Sequence, residues 1–340
     1  MFFGCLCYFI SILKATVLVT HGLGTSGIAF YHSSGYITAL TTSAAQLGQT
    51  LTSVPWLSAT DPNKEYAGLH PQERIAGATT IAKAIIDNLA AGQKVILIGH
   101  SFGGQVMQCA TRLLNPANKE ITDTFIYELV YAIKSLLNEN QTKGVSPKVL
   151  INGIIAGWHL SKVIIAAIEK ANIINQHIID FVKQHLSLDY IQAIKNTWAQ
   201  AFDEVQRYKI YRNINHRHAV IMLYTIGTPF NGSAIFTADM EVTTYHVNLY
   251  SVEDTMPAMV GSPCAPLTSR TANIRVHFEP TKAYAPAHHE FCGNLLMAPW
   301  ILTIPFQLKE QHMGSFDRFT WGATGAVTFF ANQAPRYQPD

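Results

Sequence analysis

The chain has 340 residues, 48% of them apolar and 14% charged, with a formal net charge of +2. Such a composition belongs to a globular chain, not a disordered one, with length for one large domain or two smaller ones. The 24 lysines and arginines are scattered, with no basic run or aromatic-interleaved patch, so nothing points to nucleic acid as a partner.

Residues 1–13 are almost wholly apolar and are followed by Lys14. The segment is too short to span a bilayer as a helix. It also lacks the basic start and small-residue cleavage site of a signal peptide. An added strand or buried arm leading into the core is the better reading, and no compartment is assigned from it. Residues 16–20, centred on Val17, Leu18 and Val19, read as a buried strand ending in His21-Gly22-Leu23-Gly24. Helix-like and loop segments rich in Ser, Thr and Gly fill 25–54. Pro71 and Gln72 then open a helix that runs to about Ala91, with Gly92 as its C-terminal cap. Its stripe is Ile75, Ile81, Ala84, Ile85 and Leu89.

Val95 to Ile98 are consecutive apolar residues, as in a strand buried on both faces of a parallel sheet. Gly99-His100-Ser101-Phe102-Gly103 follows and fits G-x-S-x-G, the nucleophile elbow. A serine hydroxyl needs a base on one side and substrate on the other, and a sharp strand-to-helix turn lifts Ser101 into that position. The Phe102 N–H would lie at the helix N-terminus, where it can stabilise an oxyanion. Val106, Met107, Ala110, Leu113 and Leu114 continue at helical spacing until Asn115-Pro116 stops the helix.

Residues 117–215 carry helical stripes and no strand. Ile126, Leu129, Val130, Ile133, Leu136 and Leu137 form one, and Ile164 to Val182 another. A third, from an N-cap at Ser187, holds Ile191, Ile194, Trp198, Phe202 and Val205. This stretch is expected to be an inserted helical cap. The apolar part at 149–168 is interrupted by Asn152, His159 and Lys162, which argues against a membrane span. Strand patterns resume at 219–225, before Gly227-Thr228-Pro229-Phe230-Asn231-Gly232-Ser233, at 247–252, and at 274–278. A loop rich in Pro and Ala then bears His288 and His289. The tail from about Pro299 has no clear pattern. The expected fold is α/β, a doubly wound, mostly parallel sheet, with a core formed by 1–116 and 216–340 and the cap inserted between.

The five cysteines do not suggest a disulfide framework, although Cys264 and Cys292 could pair in an oxidising compartment. Fourteen histidines invite a metal reading, but His216 and His218, or His288 and His289, have no partners at ligand spacing and read as surface or loop histidines.

Three motifs carry a resemblance to α/β-hydrolases of the lipase and esterase type. They are His21-Gly22-Leu23-Gly24, Gly99-His100-Ser101-Phe102-Gly103-Gly104, and Thr225-Ile226-Gly227-Thr228-Pro229 with Asn231-Gly232-Ser233. The last resembles a turn that in many such proteins has His where Phe230 stands here. The likeness covers 15–114 and 219 to about 300, not the helical insert, the apolar start or the tail. It implies a triad in the chain order Ser, Asp or Glu, His. Asp254, in Asp254-Thr255-Met256-Pro257 after a strand, fits the acid, with Glu253 and Glu279 as rivals. His288 fits the base, with His289 as the alternative. His277 and His100 read as structural. Leu23 and Phe102 would supply the backbone donors of an oxyanion hole.

The activity implied is hydrolysis of a carboxylic ester with an apolar acyl group, acting on a small-molecule ester or lipid. No metal or organic cofactor is implied. The greasy insert leaves room for contact between the cap and a membrane or lipid aggregate. Acyl transfer by the same triad, and lipid or partner binding on an inactive hydrolase scaffold, are the alternatives.

Overall fold

The computed structural model describes residues 15–22, 35–56, 71–120, 188–230, 232–251, 262–278, 324–329 and 336–339, together with 254, 257, 288, 291, 292, 297, 298 and 300–302. Within these, the two apolar runs of the N-terminal half become adjacent strands. β1 (Ala15–Thr20) lies between β2 (Thr50–Ser53) and β3 (Lys94–His100), and Val17 faces Ile96 across the ladder while Val19 faces Ile98. The sheet continues through β4 (Val220–Ile226), β5 (Thr243–Tyr250), β6 (Thr271–Phe278) and β7 (Thr324–Phe329), all parallel. It ends with β8 (Arg336–Pro339) antiparallel to β7. The strand order is β2-β1-β3-β4-β5-β6-β7-β8, so the direction of winding reverses beside β1 and β3. Ligand sites in open α/β sheets form outside the carboxyl ends of strands near such a reversal.

Both faces of the sheet's centre are covered, which is why β1, β3 and β4 are largely apolar without alternation. On one face Leu18, Leu97, Val220 and Leu223 pack against α2 (Pro71–Ala90), α3 (Phe102–Leu114) and α4 (Leu188–Tyr211). On the other, Val17, Val19, Ile96, Ile98, Met222 and Tyr224 meet α1 (Tyr36–Gln46) and the segment that holds Phe291, Met297 and Ile301. The protein is therefore of the α/β class, with a parallel sheet flanked by helices.

α4 falls within the stretch expected to form the cap, yet its apolar stripe is spent on the core layer. Ile194, Trp198, Phe202 and Val205 are buried against α2 and α3. The Lys209 ammonium donates to the Leu114 carbonyl at 2.8 Å, and the Gln206 amide donates to the Leu113 carbonyl at 2.7 Å. These bonds occupy carbonyls that the end of α3 leaves without helical donors. Residues 121–187, with the apolar stretch at 149–168, and the N-terminal arm lie outside the described residues. Cys264 and Cys292, which could have paired, are both free thiols, as is Cys109. Among the described residues no helix is long and apolar enough to cross a membrane.

Candidate active site

β3 delivers His100 to the carboxyl edge of the sheet, and the chain then turns at once into α3. Ser101 occupies the turn with φ 55° and ψ −132°. A non-glycine residue with positive φ costs of order 1–3 kcal/mol and persists only where its surroundings enforce it. Here they do. The Ser101 N–H donates to the Ile226 carbonyl at the end of β4 (2.8 Å), and the Gly104 N–H donates back to the Ser101 carbonyl (3.0 Å). A Cβ on Gly103 would strike the His21 carbonyl, so only glycine lets the helix start this close to the end of β1. At that start the first N–H groups of α3, Phe102 among them, have no acceptor within the helix itself.

The His21-Gly22 turn lies against the elbow. An ideal Cβ on Gly22 would stand 2.9 Å from the Ser101 Cβ and 3.4 Å from His100 Nδ1. Trp56 holds this turn from behind: its indole N–H donates to the His21 carbonyl at 2.8 Å, and its ring stacks on the imidazole at 5.7 Å between centroids. Burial pushes the His21 pKa down to about 4, against the opposing pull of the hydrogen bond from Nδ1 to the Gly22 carbonyl. His21 is therefore a neutral wall of the site. Leu23, the expected second oxyanion donor, lies outside the described residues.

The acid and base candidates reach the same edge from later strands. Asp254 follows β5 and His288 follows β6; both are buried, and His288 Nδ1 lies 2.8 Å from Asp254 Oδ2. A carboxylate accepts only, so Nδ1 carries a proton; in the neutral ring the lone pair is then on Nε2. Gly227, at the turn after β4, has φ +53°, and a Cβ there would be 3.1 Å from Asp254 Oδ2 and 3.3 Å from His288 Nδ1. The glycine both permits the turn and clears space beneath the pair. His289, Glu253 and Glu279 lie outside the described residues.

His100 joins the two halves. Its Nε2–H donates to the His288 carbonyl at 3.0 Å, and the two imidazoles tilt against each other with centroids 4.6 Å apart. The residue just before Ser101 thus grips the backbone of the candidate base. Neither this bond nor the roles of Trp56 and Gly227 follow from motif spacing. The available signal for His100 was a histidine at the last position of an otherwise apolar strand. Ser101, Asp254, His288 and Phe102 are all brought to one edge of the sheet. His277, which read as structural, is the penultimate residue of β6. Among the described residues no group of three or more His, Cys, Asp or Glu is arranged to hold a metal ion. The arrangement offers a strained serine, an oriented imidazole with a buried carboxylate, and a helix N-terminus, which together suit acyl chemistry. No protein-family model, curated protein or solved structure matches the chain.

Proposed function

We propose that the protein is a serine ester hydrolase of the α/β-hydrolase type, acting on a carboxylic ester with an apolar acyl group. The observation that carries the reading is the strained Ser101 at a strand-to-helix bend, with the buried Asp254–His288 pair tied to the same bend through His100. In the reaction His288 Nε2 takes the Ser101 proton as Oγ adds to the ester carbonyl. Asp254 holds the imidazole in the tautomer with its lone pair on Nε2 and stabilises the imidazolium that forms. The Phe102 N–H, and by resemblance the Leu23 N–H, bind the oxyanion; one such donor is worth about 10²–10³ in rate. His288 then protonates the departing alkoxide, leaving Ser101 acylated. Water, deprotonated by the same imidazole, adds to the acyl carbonyl. The adduct then collapses by breaking the C–Oγ bond, His288 returns its proton to Ser101 Oγ, and the acid leaves. No step calls on a metal or an organic cofactor.

Of the stretch expected as a cap, only 121–187 is assigned the role of covering the acyl group, since α4 packs on the core; lipid or a lipid aggregate is the proposed substrate phase. Faster turnover of micellar than of monomeric ester is the outcome this assignment expects, and equal rates would remove it. The activity itself is tested by labelling with a fluorophosphonate and by a chain-length series of p-nitrophenyl esters. Ser101→Ala should lose both labelling and turnover, by about 10⁴-fold or more. His288→Ala should follow it, and His289→Ala should stay near wild type. Retention of more than a tenth of the turnover in Ser101→Ala rules the mechanism out. Product captured by an added alcohol in preference to water would convert the reading to acyl transfer.

A further inference from the structure

Behind the elbow sits a fully buried guanidinium that the proposed chemistry does not use. Arg74, on the first turn of α2, is 0% exposed. Its guanidinium carbon lies 4.8 Å from the ring centroid of Phe102 and 4.4 Å from that of Phe236, so the cation stands against two aromatic rings. Nη1 donates to the Gln105 side-chain carbonyl, and the Gln105 amide donates in turn to the Pro229 carbonyl at 2.7 Å. Burying a cation is expensive, and a well-packed apolar residue would often serve stability as well or better. The position of this one explains its presence.

We infer that Arg74 and Gln105 form a positioning clamp that sets the nucleophile helix against the turn beneath the acid–base pair. The inference rests on the hydrolase reading above and deepens it. Gln105 is one helical turn beyond Ser101, and Pro229 is two residues beyond Gly227, the residue that packs under Asp254 Oδ2 and His288 Nδ1. The single Gln105 side chain therefore links the element that aims the nucleophile to the element that seats its base. A second point of register lies beside it, where a Cβ on Gly104 would strike the Thr228 hydroxyl. The guanidinium also bears on the ring of Phe102, whose own N–H is the proposed oxyanion donor.

The residue types match this task. An amide both accepts from Arg74 and donates to Pro229; a carboxylate accepts only. A guanidinium is planar, with faces for aromatic rings and N–H groups at its rim, whereas an ammonium is a compact point charge that cannot do both in one geometry. Acyl transfer is sensitive to such registration, since a displacement of about 1 Å can cost about 10²-fold in rate.

The test uses the full-length protein and the variants Gln105→Glu, Arg74→Lys and Ile85→Val. The last removes one buried methylene on α2, away from the clamp. Four quantities are measured: Tm, the maximal rate and the half-saturation of fluorophosphonate labelling at Ser101, and the solvent exchange of the His288 Nδ1 proton by NMR. Gln105→Glu keeps an acceptor for Arg74 but loses the donor to Pro229. It should retain a Tm near wild type while its maximal labelling rate falls about 10–100-fold at little-changed half-saturation. Arg74→Lys should lose about tenfold or more in the same rate. Ile85→Val should lower Tm and leave labelling unchanged. Wild-type labelling in Gln105→Glu, or a loss that tracks Tm across all three variants, overturns the clamp and leaves the hydrolase reading standing. A wild-type protein that does not label at Ser101 overturns the hydrolase reading instead. The proton exchange then judges the clamp alone: faster exchange in Gln105→Glu supports it, and unchanged exchange overturns it.

Discussion

The two halves of the candidate site are built by different physics. The nucleophile half, from β1, β3 and α3, is held by apolar packing and close backbone approach, and its elbow is one unbroken run from β3 into α3. Val17 to Val19 and Val95 to Ile98 are fully or almost fully buried, and Gly103 rests directly on the His21 carbonyl. The acid–base half is assembled from Asp254 and His288, 34 residues apart, on segments that follow β5 and β6. Beneath it the strands are joined by buried polar side chains. Thr225 Oγ1 bonds His246 Nε2 (2.8 Å) and Asn248 Oδ1 (3.0 Å), and the Asn248 amide donates to Asn273 Oδ1 (2.7 Å). A satisfied buried network of this kind fixes one register but leaves no tolerance for a missing partner. The nucleophile half is thus steric, whereas the acid–base half is directional.

The largest effect expected of a single isosteric change lies in the second half. Asp254→Asn keeps the shape of the pair but can present an N–H to His288 Nδ1, forcing the proton onto Nε2 and removing the base. A fall in kcat of about 10⁴ with little change in KM is expected by steady-state ester hydrolysis. If the loss is below tenfold, the directional account of this half fails. In the first half, Gly103→Ala must push α3 away from the His21-Gly22 turn. Overpacking of this sort costs about 1–3 kcal/mol, and the displaced elbow should lose about 10² in kcat. Urea unfolding and turnover measure the two effects. Gly227→Ala, set against it, adds a Cβ at 3.1 Å from Asp254 Oδ2 in a left-handed turn. It should cost less stability than Gly103→Ala, because a side-chain oxygen yields more readily than a packed carbonyl. The reverse order would reverse the comparison.

The same contrast decides what could be read from the chain. The steric half announces itself through neighbouring residues: an apolar strand, G-x-S-x-G and an amphipathic helix. β5 was harder. Its strand begins at Thr243, four residues before the apolar run at Val247, because Thr243 and His246 are polar letters at buried positions. β2 (Thr50–Ser53) is a short, largely exposed edge strand with no apolar run to betray it, and β7 and β8 sit in a tail without periodicity. The stripe on α4 was plain, but amphipathicity states that a helix packs and not on what. Trp198 and Phe202 would look the same under a cap or against the core. Asp254 and His288 were nameable only because a family resemblance supplied their order, and no spacing rule relates residues brought together by tertiary packing.

His100 lies where the halves meet, and its contribution should be intermediate. His100→Phe keeps an aromatic ring beside His288 but removes the donor to its carbonyl. Loss of one such bond to a backbone group is worth about 1 kcal/mol. The expected outcome is a decrease of about three- to tenfold in kcat at unchanged KM, with Ser101 still labelled by fluorophosphonate. An unchanged kcat would show that the base is held from the Asp254 side alone.

The smallest effect concerns stability alone and comes from the polar ladder. His246 is fully enclosed, and burial pushes its pKa from 6.5 down to about 3. Because the Thr225 hydroxyl donates to Asn248, it must accept from His246, so Nε2 carries the proton of a neutral ring. An imidazole neutral in the folded protein and free to protonate in the unfolded chain contributes fully above about pH 6.5. Its contribution is lost as the pH falls towards 3, since the unfolded chain then binds a proton that the folded protein refuses. His21, depressed to about 4, acts in the same direction from the nucleophile half. His246→Gln can still donate to Thr225 but does not titrate. It should lower stability modestly at pH 7.5 and flatten the decline of unfolding free energy between pH 6.5 and 4 by up to one proton's worth of slope. The remaining slope from these two rings then belongs to His21. Chemical denaturation across that range separates the two, and an unaltered slope in His246→Gln would mean that the ladder does not hold its imidazole neutral.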